Sequence, residues 1–243
     1  MKLIIDGDMI AYRAAFGSEH EIKWDDDVFT LHLNMHEALD RVDSIIEASL
    51  KKLGAKEYVT VFSDKKNFRH DLDPSYKANR KDRRKPLGLS TVIDQMFLFW
   101  NGMKINNLEA DDVIGILCSK HKDHIAVSGD KDFHTIPGKF YNFLKDEMYD
   151  TTVDEANKFH LIQTLAGDTA DGYPGVKGVG MKTAEKLLDK EGYTWDAVVK
   201  IYESKGMTED AALVTARLAY ILRHQDFNLK TKKMKSLWKP TTT

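Results

Sequence analysis

Three short apolar runs each end in an aspartate: Lys2-Leu-Ile-Ile-Asp6, Val59-Thr-Val-Phe-Ser-Asp64 and Ile125-Ala-Val-Ser-Gly-Asp130. Each has a strand's length and a strand's aliphatic, β-branched content, and helical patterns separate them. That alternation predicts an α/β fold with a mostly parallel sheet. Ligands in such sheets bind beyond the carboxyl ends of the strands. Asp6, Asp64 and Asp130 are therefore expected to converge on one crevice. Carboxylates gathered without countercharge raise one another's pKa, so the crevice calls for cations.

More acids join them. Glu109-Ala-Asp111-Asp112 opens a helix, where Glu109 and Asp112 share a face and Asp111 is offset by about 100°. One acid there would serve as a helix-dipole partner, but three exceed what capping requires. Asp130 is followed by Asp132, and Asp168 and Asp171 stand three apart just before a glycine-rich turn. An oxygen-only ligand set, with no paired His or Cys nearby, favours Mg²⁺ or Mn²⁺ over Zn²⁺. Two such ions about 3.5–4 Å apart suit in-line phosphodiester hydrolysis. His134 lies nearest these acids and is read as structural. Cys118, the only cysteine among the 243 residues, sits in an apolar helical run and is read as a buried small hydrophobe.

Charge is divided along the chain. The formal net charge is -2. Between Lys65 and Lys85, nine Lys/Arg stand against three Asp, with Phe68 and Tyr76 interleaved. An acidic centre flanked by basic segments suits a polyanionic substrate. The lysines between 230 and 239 are read as a solvated face. An apolar fraction of 42% is enough for a substantial core, and no window approaches membrane-spanning length. A cytoplasmic monomer with no membrane contact is expected.

Two segments offer handles for phosphate. If Tyr76-Lys77-Ala-Asn-Arg80 is helical, Lys77 and Arg80 share a face and can hold one phosphate, while Tyr76 offers a stacking surface for a base. The cluster from Gly172 to Gly180, followed by a helix from Met181, points backbone N–H groups at an anion beside Lys177 and Lys182. The remaining pattern predicts helices at 34–53, 90–100, 109–120, 152–165, 181–190, 194–204 and 208–222. Residues 19–30 read as loop and Lys65–Pro86 as an exposed, mobile excursion. The layout is an α/β core over 1–150 and a helical, nucleic-acid-binding extension over 151–243.

Taken in order, Ile5-Asp-Gly, Tyr76-Lys-x-x-Arg80, Glu109-Ala-Asp-Asp112, Ser128-Gly-Asp-Lys-Asp132 and Gly167-Asp-x-x-Asp171 with its glycine cluster resemble the 5′-nuclease (flap endonuclease) superfamily. The likeness is to small bacteriophage and bacterial 5′–3′ exonucleases over roughly residues 2–190. It implies a PIN-like core, a helix-three-turn-helix in the extension, and two-metal hydrolysis at 5′ ends or 5′-flap junctions of DNA in replication or repair. By resemblance Asp6, Asp64, Glu109, Asp111 and Asp112 match acids of the catalytic ion, and Asp130, Asp132, Asp168 and Asp171 those of its companion. Lys77 and Arg80 match the residues steering the scissile phosphate, with Asp130 essential to cleavage. Tyr76, Lys81, Lys177, Gly178, Gly180 and Lys182 fall in the DNA-contacting segments. The carbonyls of Val176 and Val179 match a potassium site. Asp8 departs from the pattern, standing where a small polar residue is expected.

The rivals are a PIN-type ribonuclease, an RNase H-like 5′ nuclease acting on RNA primers in RNA–DNA hybrids, an aspartate-nucleophile phosphatase, and an inactive DNA-binding module. Asp168, Asp171 and Lys177 argue against the first. Met9 and Ile10 do not continue the phosphatase motif after Asp6-Gly-Asp8. An inactive module would have lost site acids, and none is missing.

Overall fold

The computed structural model describes residues 1–240. Asp6 ends β1 (Lys2–Asp6) and caps α1 (Gly7–Gly17), its Oδ1 accepting the Met9 N–H at 3.0 Å. A hairpin of β2 (Glu19–Asp25) and β3 (Val28–Leu33) follows, then α2 (Met35–Leu53), ended by left-handed Gly54. Next come β4 (Glu57–Val61), short α3 (Arg69–Leu72), a 3₁₀ turn at Ala78–Arg80 and α4 (Leu89–Phe99). β5 (Gly102–Met103), α5 (Ala110–Lys120), β6 (His124–Ser128), a second 3₁₀ turn (Lys131–Thr135), β7 (Gly138–Asn142) and β8 (Glu147–Thr151) complete the sheet region.

The strand order is β5-β4-β1-β6-β7-β8, parallel except for the β7–β8 pair. β1 lies between β4 and β6, where the winding reverses. This is the switch point at which an open α/β sheet leaves a crevice beyond its carboxyl ends. Period-two alternation splits β1: Leu3 and Ile5 pack with α1, α2 and α4, while Ile4 packs with α5 on the other face.

The extension holds α6 (Val153–Ala166), the two-residue strands β9 (Gly167–Asp168) and β10 (Tyr173–Pro174), then α7 (Met181–Glu191), α8 (Trp195–Glu203) and α9 (Glu209–Ala219). α6 opens with the Thr152/Glu155 capping box expected from its sequence. Leu165, Val176, Ala184, Leu188, Val198 and Tyr202 form a separate core among these helices.

Three expectations need correction. Residues 19–33 form a β-ribbon, although every residue from His20 to His32 is exposed. Cross-strand contacts hold it, among them Trp24 Nε1–H donating to Thr30 Oγ1 at 2.7 Å. The 65–86 segment is anchored: Asn67, Phe68, Arg69 and Tyr76 are buried, and Arg84 forks onto Glu19 (2.6 and 2.8 Å). α9 stops at Ala219 because Tyr220–Leu222 leaves the helix and packs beneath α5. Gly115 permits this approach, since a Cβ there would lie 2.5 Å from the Leu222 carbonyl oxygen. Beyond the ribbon of β11 (Phe227–Asn228) and β12 (Lys233–Met234), Leu237 and Trp238 return to the core, while the tail lysines stay exposed.

That return buries His160 of α6, which donates from Nε2 to the Ala216 carbonyl (2.8 Å) and meets Tyr220 and Trp238 edge-on. Burial lowers its pKa from 6.5 to about 4. On acidification the unfolded chain takes up this proton first, so stability contributed by neutral His160 falls as pH drops from about 6.5 towards 4. The full loss is about 3 kcal/mol. Denaturant melts of wild type and His160→Gln across this window should show a steeper decline in wild type. Parallel profiles would mean that His160 titrates alike in both states.

Candidate active site

Beyond the ends of β1, β4 and β6 opens a cavity of about 390 Å³. Of the expected site residues it gathers Asp6, Lys77, Arg80, Glu109, Asp111, Asp130, Asp132 and Asp171, and it adds Asp8, Ser63, Tyr12 and Arg13. Asp6 arrives at the end of β1, its Oδ2 taking the Ser128 hydroxyl at 2.8 Å. Asp130 follows β6 and caps the 3₁₀ turn by accepting the Asp132 N–H (2.9 Å). Asp168 stands beside the cavity. Its Oδ1 accepts the Ala170 and Asp171 N–H groups, and its Oδ2 lies 3.3 Å from Lys131 Nζ.

Two kinds of carboxylate meet here. Glu109 is compensated: burial works to raise its pKa, but Arg69 and Lys77 outweigh this and hold it below its ordinary value. It accepts from Lys77 Nζ at 2.6 Å, Tyr76 Oη–H at 3.0 Å and Arg69 Nη1 at 3.1 Å. Asp6, Asp111 and Asp132 are uncompensated. Burial, then Asp8 and Asp130, push Asp6 up to about 7. Burial, then Asp130, push Asp132 up to about 6. Asp111 is held well above the usual carboxylate range by burial, Asp6 and Asp130. Asp132 Oδ1 is buried without a hydrogen-bond donor, although the Lys131 ammonium lies 3.4 Å away. Crowded carboxylates with an orphaned buried oxygen and all-oxygen donors fit a hard divalent cation.

Lys77 sits in the left-handed region ahead of the 3₁₀ turn, so it and Arg80 do not share an α-helical face. They meet on Asp171 instead: Arg80 pairs with its Oδ1, and Lys77 Nζ lies 3.6 Å from its Oδ2. The cavity shares Tyr12, Lys77 and Arg80 with a second cleft of about 760 Å³ lined by Lys65, His70, Lys81, Arg83, Arg84 and Lys85. Acidic pocket and basic cleft are therefore continuous.

Three expected site residues are placed elsewhere. Asp64 turns away from the cavity, and its carboxylate accepts the N–H groups of Asn107 and Lys65 (2.9 Å each), which hold its pKa low. Ser63 faces the pocket in its place. Asp112 is fully buried and forks onto Arg69 at 2.7 and 2.9 Å while accepting the Leu222 N–H, so no acceptor is turned to the pocket. Tyr76 is no stacking platform: it is 3% exposed, lies against Tyr173, and donates its hydroxyl towards Glu109 and Asp171.

Arg69 went unrecognised as a site element because a sequence shows only one more cation in a basic run. Its Nε donates to the Leu218 carbonyl and its Nη2 to the Tyr220 carbonyl, besides both carboxylates. Asp8 carried a signal in the Asp6-Gly-Asp8 spacing.

In the glycine-rich connection, Lys177, Gly178, Gly180 and Lys182 are exposed, while Val176 and Val179 bury their side chains. Gly178 has φ +78°, and no atom lies within 4 Å of where its Cβ would be. At the opposite end of the sheet, His121, Asp123 and His124 bring ligand atoms within 4.8 Å of one another.

The two neighbouring aspartates of α5 should respond oppositely to amidation. Asp112→Asn leaves Arg69 buried and undercompensated and should cost about 3–5 kcal/mol. Asp111→Asn removes repulsion and should raise the melting temperature in EDTA. Equal losses in both would make Asp111 a structural partner like Asp112.

A model of the 5′–3′ exonuclease N-terminal resolvase-like domain matches residues 1–160. The exonuclease of Escherichia phage T7 is 29% identical over 98% of this chain and 93% of its own. Among solved structures, T5 5′-exonuclease with bound zinc superposes with a TM-score of 0.69 at 17% identity, covering 90% of this chain and 89% of that one. A bacteriophage T5 flap endonuclease in a pseudo-enzyme-product complex with DNA and metal ions gives 0.63, also at 17% identity, covering 90% and 88%. With two thirds of its length inside that domain model and a T7 relative spanning nearly all of it, the chain belongs to the 5′–3′ exonuclease family.

Proposed function

We propose that this nuclease hydrolyses phosphodiester bonds at 5′ ends or 5′-flap junctions of DNA, using Mg²⁺ or Mn²⁺ held in the acidic cavity as a pair. The observation that carries it is the continuity of the uncompensated carboxylates with Lys77, Arg80 and the basic cleft. Asp6, Asp111, Asp130 and Asp132 would hold the cations, with Glu109, Asp171 and Asp168 around them. When bound, such ions lower the pKa of water and neutralise charge developing on phosphate oxygens.

The remaining work falls to the chain's own cations. The Lys77 ammonium and Arg80 guanidinium stand on Glu109 and Asp171 at the cavity edge, where a phosphate can take over their outward N–H donors. Arg69 and Tyr76 hold Glu109 from behind, which fixes the height of Lys77. The exposed glycine turn with Lys177 and Lys182 supports backbone binding of duplex DNA, and the arrangement suits a helix-three-turn-helix. A potassium ion at the Val176 and Val179 carbonyls belongs to the same proposal; the Val176 carbonyl already accepts the Val179 N–H (3.0 Å) and would share its second lone pair. Backbone recognition also leaves an RNA–DNA hybrid as a substrate to compare.

A 5′-flap duplex labelled at either end should be cut near the junction or shortened from its 5′ end with Mg²⁺, and stay intact in EDTA. Asp130→Asn should abolish cutting while flap binding survives. Flap binding without cutting in either Mg²⁺ or Mn²⁺ would make the chain a binding module instead. Lys77→Ala should slow single-turnover cleavage by about a hundredfold with little change in DNA affinity. Equal losses in rate and affinity would reduce Lys77 to an electrostatic anchor. Lys182→Ala should flatten the salt dependence of duplex binding by about one unit. An unchanged slope would remove Lys182 from the phosphate contacts.

A further inference from the structure

We infer that Asp8, from the first turn of α1, supplies the cation-binding carboxylate that the end of β4 does not. The inference rests on the metal-dependent nuclease reading above and assigns a further residue to that site.

The end of β4 is where a second strand-terminal acid belongs if β1, β4 and β6 are each to contribute one. Asp6 and Asp130 reach the cavity from β1 and β6. Asp64 does not line it: its carboxylate is held outside the cavity by the Lys65 and Asn107 N–H groups, and its own N–H donates to the Leu108 carbonyl (2.9 Å). The residue facing the cavity is Ser63, a neutral side chain.

Asp8 fills the deficit from the neighbouring element. Its Oδ2 accepts the Ser63 N–H at 2.9 Å, which fixes the carboxylate at the β1–β4 junction. Ser63 in turn accepts the Ala110 N–H on Oγ at 2.9 Å, tying Asp8 to the start of α5 that carries Glu109 and Asp111. Asp8 lines the same cavity as Asp6, Asp111 and Asp130. A first-turn acid that merely offset the α1 dipole would point to solvent. This one is only partly exposed, and it faces the cavity while held by the Ser63 N–H. A partly buried carboxylate beside other carboxylates is kept where a cation shares it.

Amidation separates this role from a structural one, because an Asn at either position keeps an acceptor oxygen for the backbone N–H. Mn²⁺ binding would be followed by the paramagnetic resonance signal of the free ion for wild type, Asp8→Asn, Asp64→Asn and Asp111→Asn, beside flap cleavage. Asp8→Asn should weaken Mn²⁺ binding by about tenfold or more and slow cleavage, while Asp64→Asn binds Mn²⁺ and cleaves within about twofold of wild type. Wild-type Mn²⁺ affinity in Asp8→Asn, with affinity lost in Asp111→Asn, would overturn the Asp8 assignment and leave the nuclease site standing. Loss of Mn²⁺ affinity in Asp64→Asn alone would restore Asp64 as the ligand and also overturn it. Undiminished binding in Asp111→Asn would remove the metal site, and the role of Asp8 with it.

Discussion

One buried guanidinium organises the acidic end of this molecule. Arg69 donates to Glu109 and Asp112 at the start of α5 and to the carbonyls of Leu218 and Tyr220, where α9 gives way to the returning chain. It therefore joins the basic segment after β4, the helix that carries the site acids, and the C-terminal extension at one point. A buried ion pair is weak evidence for net stability, since desolvation offsets most of its attraction. Its value here is positional. With both carboxylates satisfied on their inner side, Glu109 can hold Lys77 at the cavity edge and Asp111 can project into the cavity.

The site is then a contrast between satisfied and unsatisfied acids. Glu109, Asp112 and Asp64 are each held by donors, and for Glu109 and Asp64 these favour the charged form. Asp6, buried, and Asp111 and Asp132, partly buried, crowd among like charges, and Asp132 keeps an oxygen with no donor. Natural proteins hold such local conflict where function requires it. A polyanionic strand cannot approach these carboxylates unless their charge is countered. In the proposed reading the bordering Lys77, Arg80 and Lys81 would attract the strand, and divalent cations would let it in.

Much of this was legible in the sequence, because strand-terminal acids and helix-opening acids are local patterns. The parallel sheet, the crevice residues Asp6, Asp111, Asp130 and Asp132, and the capping box at Thr152 all follow from spacing. What escaped depends on a single residue of register or on long-range pairing. Side chains alternate along a strand and its end, so Ser63 rather than Asp64 faces the cavity. Asp112 and Tyr76 looked available until Arg69, Glu109 and Tyr173 closed around them from distant parts of the chain. The β2–β3 ribbon escaped although Phe29, Leu31 and Leu33 alternate with polar residues, because the acids and other polar residues around its turn read as loop and the hairpin buries no residue from His20 to His32. Trp238 docks on His160 and Tyr220 through contacts that no local pattern in a lysine-rich tail announces.

The most direct measurement is anomalous diffraction at the manganese edge from crystals of the protein grown with Mn²⁺. Anomalous density bounded by Asp6, Asp111, Asp130 and Asp132 is the predicted result. Density confined to the His121, Asp123 and His124 group, or an acidic cavity that holds only water, would contradict a metal-dependent nuclease site at the carboxyl end of the sheet.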